Sequence, residues 1–273
     1  MLEAGRSRRT VEYVFSLLRA SLSHAAGQGI ILRNPCDGVI APHPEKRKRQ
    51  PHMPEDVRRL LRAFEGNKWE TLVHLAVYTG MRRAELLGLR WGDVRPGADG
   101  DPDRWFVNVE QVVTELSATQ IELGPPKTDK SQRAIALPQE AVSLLRRYRA
   151  RQAAERLAMN PEQRSVFVDH DLVFCKPTGH PLQPQRVSES VRWYLDKAGL
   201  HHLRPLHDNR HANADLMYQA GADIKTISEH HGHSTIQITA DIYTTVPQRM
   251  QAEAADALSA ILRQPAIPGD GPA

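Results

Sequence analysis

The sequence predicts a mainly α-helical chain carrying a small antiparallel β-sheet, an α+β arrangement. Three observations predict it. Apolar residues recur at i, i+3, i+4 and i+7 across residues 9–26 and in several later segments, the spacing of amphipathic helices. Two stretches, 105–113 and 133–137, are rich in β-branched and aromatic residues and read as strands. Prolines and glycines fall where the helical stretches begin and end.

The first helix, 9–26, carries Val11, Val14, Phe15, Leu18, Leu22 and Ala25 on one face, and Asn34-Pro35 ends that region. One or two helices cannot enclose a core, so this face is expected to lean on the rest of the chain or on a partner. Residues 41–53 form a Pro-rich linker containing Lys46, Arg47, Lys48 and Arg49. Pro54 opens a helix with Val57, Leu60, Leu61 and Phe64 inward. A second apolar helix, 72–78, runs into a segment where Leu86 and Leu89 read as core. Arg82 and Glu85 lie three apart there and can share a helical face.

After the two predicted strands, with Lys127 in the polar turn between them, residues 139–157 form a helix with Val142, Leu145 and Tyr148 inward. Residues 172–174 read as a short strand, and Pro184 opens a helix that Gly199 closes. Trp91 and Trp193 are expected in the core; Cys36 and Cys175 are expected to be inert.

His207 and Arg210 are three apart, so on a helix they converge on one small anion. Gly221 stops that helix, its backbone tolerating the left-handed conformation of a C′ residue. A second short helix, 224–230, ends at Gly232 and leaves His233 beside it. Ser234 and Gln237 have capping-box spacing and open a helix bearing Ile236, Thr239, Ala240 and Tyr243 along one side. Residues 246–263 form a final amphipathic helix, and 265–273 a disordered tail.

Composition bounds the function. The 273 residues are 40% hydrophobic and 25% charged, ordinary values for a globular protein. The formal charge is +4 and the isoelectric point about 9.2, with positive groups clustered. Two cysteines without a C-x-x-C point to a reducing cytosol. No apolar run reaches the roughly 18 residues of a membrane span, and no signal-peptide pattern opens the chain. A cytoplasmic protein with no membrane association is expected.

The spaced set His207, Arg210, Gly232-His233 and Tyr243 resembles the C-terminal half of the tyrosine recombinase, or phage integrase, catalytic domain. Thr79-Gly80-Met81-Arg82-Arg83-Ala84-Glu85-Leu86-Leu87-Gly88-Leu89-Arg90-Trp91 is similar to that family's T-G-x-R-x-x-E-L-x-x-L-x-W segment. Pro126-Lys127-Thr128 with Ser131 and Arg133 resembles its lysine-bearing hairpin, with Lys130 as the rival lysine. The boxes occur in the family's order across about residues 54–250. His231 stands where the family usually has an apolar leucine, and Asn209 and Ala212 depart from its usual H-D-L-R-H-T run.

The resemblance implies a catalytic domain over 54–264, preceded by a shortened, helical core-binding region at 1–40. It implies a site-specific recombinase of a prophage or integrative element, cutting and rejoining DNA through a 3′-phosphotyrosyl intermediate. Arg82 and Arg210 would hold the phosphate and Tyr243 would attack it. Lys127 would protonate the 5′ oxygen, His207 would transfer a proton, His233 would donate a hydrogen bond, and Glu85 would orient the histidine.

No cofactor and no metal are expected. The partners implied are double-stranded DNA, contacted also by Lys46 to Arg49, a homotetramer on two sites, and accessory DNA-bending or directionality proteins in the bacterial nucleoid. Two other classes compete: an inactive DNA-binding remnant, since the first domain looks truncated, and a metal-dependent hydrolase using the H-D-x-x-H of His207 and His211.

Overall fold

The computed structural model describes residues 4–41, 52–97, 101, 104–117, 120–204, 206–232, 235, 256 and 259, without the side chains of Asp129 and His207. The chain divides into two units, Met1–Gln50 and Pro51–Ala273.

In the first unit, helix α1 (Arg8–Gly27) starts at Ser7, whose hydroxyl accepts the Thr10 N–H at 3.2 Å. The segment after it folds back through Asn34, which is buried. Its amide donates to Arg19 O at 3.0 Å and Ser23 Oγ at 2.8 Å, and its Oδ1 accepts from Cys36 N at 2.9 Å. Tyr13, Leu17 and Leu18 of α1 remain exposed.

The second unit opens with α2 (Pro54–Ala63). Proline presets the helical φ at its first position, and Glu55 and Asp56 face the positive end of the helix dipole. Helix α3 (Glu70–Thr79) is apolar on nearly every side because it runs through the core. It stops at Gly80, whose φ of +59° suits glycine best. Helix α4 (Arg83–Gly88) follows at once. A Cβ at Gly88 would lie 2.7 Å from Val112 Cα, so only glycine lets α4 press on the next strand pair.

Strands β1 (Val94–Pro96), β2 (Trp105–Asn108) and β5 (Ala134–Leu137) form one antiparallel sheet in the order β1-β2-β5, with Asn108 opposite Ala134 and Trp105 opposite Leu137. Strands β3 (Val112–Glu115) and β4 (Ile121–Gly124) form a separate hairpin. The single strand predicted over 105–113 is therefore two. Val109 N still bonds Arg133 O at 2.9 Å, and the chain then leaves the sheet as Gln111 turns to hydrogen-bond Gly88 O.

Helices α5 (Gln139–Leu157), α6 (Pro161–Ser165) and α7 (Pro184–Lys197) complete the outer layer. The core joins Leu72, Val73, Leu86, Leu87, Val107, Ile135, Val142, Leu145, Phe174, Val187, Val191 and Leu195. The predicted strand at 172–174 is instead a buried, bent run between single bridges, Arg90 to Leu172 and Cys175 to Pro181. Asp171, at φ +56°, bends the chain just before it, leaving no length for a ladder.

Trp193 is not core: it is 51% exposed, because Val187, Val191 and Leu195 repeat every four residues on the opposite side of α7. Lys197 caps its ring 3.9 Å from the centroid. Trp91 is buried as expected and donates to Gln152 Oε1 at 2.8 Å.

Helix α8 (His207–Gln219) carries His207 and Arg210, and α9 (Ile224–His231) ends at Gly232, just ahead of His233. Asn213 of α8 donates to Val77 O at 2.8 Å and Tyr78 O at 3.0 Å, tying α8 to the end of α3. Asp215 accepts His52 N at 2.8 Å, securing the start of the unit to the same helix. No helix among the described residues is long and apolar enough to cross a membrane. Of the helix predicted at 246–263, only Asp256 and Ser259 are described, both helical; the tail at 265–273 lies outside the described residues.

Candidate active site

The α3–α4 corner places Arg82 and Glu85 in one turn. Glu85, only 2% exposed, accepts the Arg82 backbone N–H at 2.8 Å and its Nη1 at 2.7 Å. Arg133, just ahead of β5, reaches the same carboxylate with Nη2 at 3.0 Å and Nη1 at 3.3 Å. Its Nε donates to His230 O at 2.7 Å and its Nη1 to Ser131 O at 2.9 Å. Burial pushes the Glu85 carboxyl up, but the hydrogen bonds and charge of Arg133, with help from Arg82, outweigh it and hold the group below the usual carboxylate range.

Arg210 rises from the first turn of α8 between two helix C-termini. Its Nη1 donates to Gly80 O at 2.8 Å and its Nη2 to His231 O. The last carbonyls of a helix lack intrahelical partners, so cationic donors suit them. Burial, then the nearby Arg82 and Arg133 guanidiniums, pull Arg210 down to about 9, which leaves it charged at neutral pH. Arg82 Nη2 approaches Gly232 O at 3.4 Å. The loop at 128–131 closes on the same point: a Cβ at Gly232 would lie 2.8 Å from Lys130 O and 3.2 Å from Arg133 Cδ.

Two guanidiniums thus bond one carboxylate and a third lies near them, leaving a surplus of two positive charges, and Arg82 is 43% exposed while Arg133 is only 7% exposed. Such a group is equipped to grip an anion, with planar forks suited to phosphate oxygens. His230, beside it, is driven to about 4 by burial and by Arg133, so it is neutral at physiological pH.

Among the expected site residues, Arg82, Glu85 and Arg210 converge. Lys127 is exposed in the bend after β4. The His207 backbone starts α8, but its side chain, together with His233, Tyr243 and Lys46 to Arg49, lies outside the described residues. Among the described residues the partners of the Glu85 carboxylate are Arg82 and Arg133; the histidine side chains it is expected to orient, His207 and His233, lie outside them.

Arg133 is the residue that sequence reasoning left unassigned. Its place in the P-K-T-x-x-S-x-R box was the available signal. His231, whose polarity at a leucine position demanded a partner or exposure, is fully buried, with Nδ1–H donating to Ile227 O at 2.9 Å. Asn209 and Ala212, the departures beside Arg210, are both buried in α8. His201 is exposed and bonds Asp196 at 3.1 Å.

Residues 53–249 match the phage integrase family, which takes in all of these groups from Arg82 to Tyr243. The chain belongs to that family. This family member is 28% identical over 277 residues to a XerC-like tyrosine recombinase of Caldanaerobacter subterraneus, an alignment covering 95% of this chain and 68% of that protein. It is 26% identical to the ICEBs1 integrase of Bacillus subtilis, covering 96% of this chain and 68% of that one. The chain thus spans about two thirds of the length of these relatives.

Among solved structures, the Tn1549 transposon integrase in complex with a circular intermediate DNA superposes with a TM-score of 0.73 at 20% identity, over 94% of this chain and 82% of that one. A lambda integrase dimer bound to a core site superposes with a TM-score of 0.59 at 16% identity, over 88% of this chain and 60% of that one. The fold of this family member is therefore that of the tyrosine recombinases, mainly helical with small antiparallel sheets, as the sequence predicts.

Proposed function

We propose that this chain is a site-specific DNA recombinase that breaks and rejoins double-stranded DNA through a 3′-phosphotyrosyl intermediate. The observation that carries it is the cluster of Arg82 and Arg133 bonded to Glu85, with Arg210 held beside them on Gly80 O and His231 O, inside the segment matched to the integrase family. Phosphoryl transfer needs little from a protein beyond positioning and charge stabilisation, and this cluster supplies both.

By resemblance, Tyr243 Oη attacks phosphorus, its bond forms as the P–O5′ bond breaks, and Lys127 protonates the departing 5′ oxygen. His207 handles the tyrosine proton and His233 donates to a non-bridging oxygen. A tyrosine near pKa 10 is ionised only about once in a thousand molecules at neutral pH, an unfavourable term of roughly 4 kcal/mol that neighbouring cations offset. The ester retains the bond energy, so a 5′-hydroxyl from a second duplex rejoins the strand. Residues 54–264 form the catalytic domain and 1–40 part of a helical core-binding domain, with Lys46 to Arg49 following the backbone of the DNA. Four protomers work on two sites with accessory bending or directionality proteins, in the nucleoid.

The test is covalent trapping on a nicked suicide substrate carrying a candidate attachment site, run in chelator, with Tyr243→Phe as control. A DNA adduct that survives denaturant and disappears in the variant supports the mechanism. DNA binding without an adduct supports an inactive remnant. Activity abolished by chelator supports the metal hydrolase.

A further inference from the structure

Arg210 depends for its position on two backbone carbonyls that belong to different helices. Gly80 O terminates α3 and His231 O terminates α9, and the guanidinium bridges them. Neither Arg210 nor the carbonyls can fix that geometry alone, because helix ends fray and shift readily.

Two buried polar side chains surround the Gly80 end. Asn213 sits one turn along α8 from Arg210, is nearly fully buried, and clamps the last turn of α3 through Val77 O and Tyr78 O. His231 is fully buried and is held to its own helix through Ile227 O. Both converge on Gly80: a Cβ there would lie 2.6 Å from His231 Nε2 and 2.9 Å from Asn213 Oδ1. The glycine, at φ +59°, thus admits an imidazole edge and an amide oxygen against its backbone. An apolar residue at 231 would fill space without the Nδ1–H bond to Ile227 O that sets the ring's orientation against that corner.

We infer, on the recombinase function proposed above, that Asn213 and His231 are positioning residues for Arg210, acting as a two-part clamp that sets the distance between the α3 and α9 C-termini. Asn213 bonds α8 to α3, and His231, oriented by Ile227 O, packs α9 against the Gly80 turn. Arg210 is then presented to the scissile phosphate already oriented. Misplacement of a catalytic group by about 1 Å lowers rates by up to about a hundredfold, so modest slack in either member is visible in kinetics.

The test uses the full chain with arginine-selective 15N labelling, and Arg210→Lys assigns the Arg210 signals. In the wild type, a guanidinium held by two carbonyls rotates slowly and gives separate Nη resonances. In His231→Leu and Asn213→Ala these collapse into one averaged signal. Single-turnover cleavage at saturating DNA falls by about tenfold or more, with DNA affinity unchanged, because ground-state binding is spared. A general packing defect would lower thermal stability without selecting Arg210.

His231→Leu introduces an apolar residue of similar size, so it keeps the comparison available even where Asn213→Ala fails to fold. Averaged Arg210 signals in the wild type, separate signals retained in His231→Leu, or unchanged cleavage despite collapsed signals would each overturn the assignment. A wild type that cleaves nothing counts against the recombinase function, and the resonances then decide the clamp by themselves.

Discussion

Arg133 and Glu85 meet through two hydrogen bonds, Nη2 to Oε2 at 3.0 Å and Nη1 to Oε1 at 3.3 Å, with both side chains buried. A buried pair contributes little net stability while intact, but losing one partner strands the other. Arg133→Leu is expected to destabilise the chain by about 3 kcal/mol, because Arg82 alone then faces the carboxylate. Urea denaturation measures this; a midpoint unchanged from wild type would contradict it.

The same carboxylate sets an acid limit. Glu85 is held below its ordinary value, so its contribution is complete above the unfolded pKa of about 4.3 and is lost as pH falls through the lower folded value. The stability gap between wild type and Glu85→Gln is therefore widest at neutral pH and narrows below about pH 4. Thermal unfolding across pH 3 to 7, in steps of about half a unit, reads it directly. A gap that widens on acidification would reverse the sign.

Arg210 behaves in the opposite sense. Its folded value near 9 lies below the unfolded one, so carrying the charge opposes folding at every pH below about 9. Arg210→Met is expected to melt at or above the wild-type temperature while losing strand cleavage by about a hundredfold or more, the trade of a functional charge against stability. Phosphate should raise the melting temperature of the wild type more than that of the variant. Equal shifts would mean that the anion binds elsewhere.

Two lysines compete for the proton donor, and leaving-group chemistry separates them. Replacing the bridging 5′ oxygen by sulfur gives a leaving group that needs no acid, so the variant lacking the true donor is rescued. Lys127→Ala is expected to recover cleavage on such a substrate, and Lys130→Ala to need no rescue. Recovery by Lys130→Ala alone would move the role.

The basic linker gives a salt test. Replacing Lys46, Arg47, Lys48 and Arg49 with alanine should flatten the plot of log affinity against log salt by about 0.9 per lost phosphate contact, uniformly across DNA sequences. An unchanged slope would mean that the linker is only a tether.

Most helices were legible because their apolar spacing and their caps agree, as with Pro54 at the start of α2 and Gly80, Gly221 and Gly232 just beyond α3, α8 and α9. The strands were less so. A run of β-branched residues does not reveal that the chain crosses from one sheet to another, and the division at 109–111 depends on partners far away in sequence. β1 is only three residues long, and β4, though as long as β5, does not alternate between buried and exposed positions. Trp193 misled because size suggests burial while periodicity, which decides, places it outward. Within the site, Arg82, Glu85 and Arg210 came from spaced boxes. That Glu85 serves two arginines could not be read, because Arg133 lies 48 residues away and only folding joins them.

The Arg82 contact with Gly232 O joins residues separated by 150 positions, and the Arg133 contact with His230 O spans 97. An incomplete chain still leaving the ribosome has the first arginine long before it has the carbonyls that complete the cluster. The arginine cluster therefore comes into being late: its charges can act together on one anion only after translation has passed Gly232.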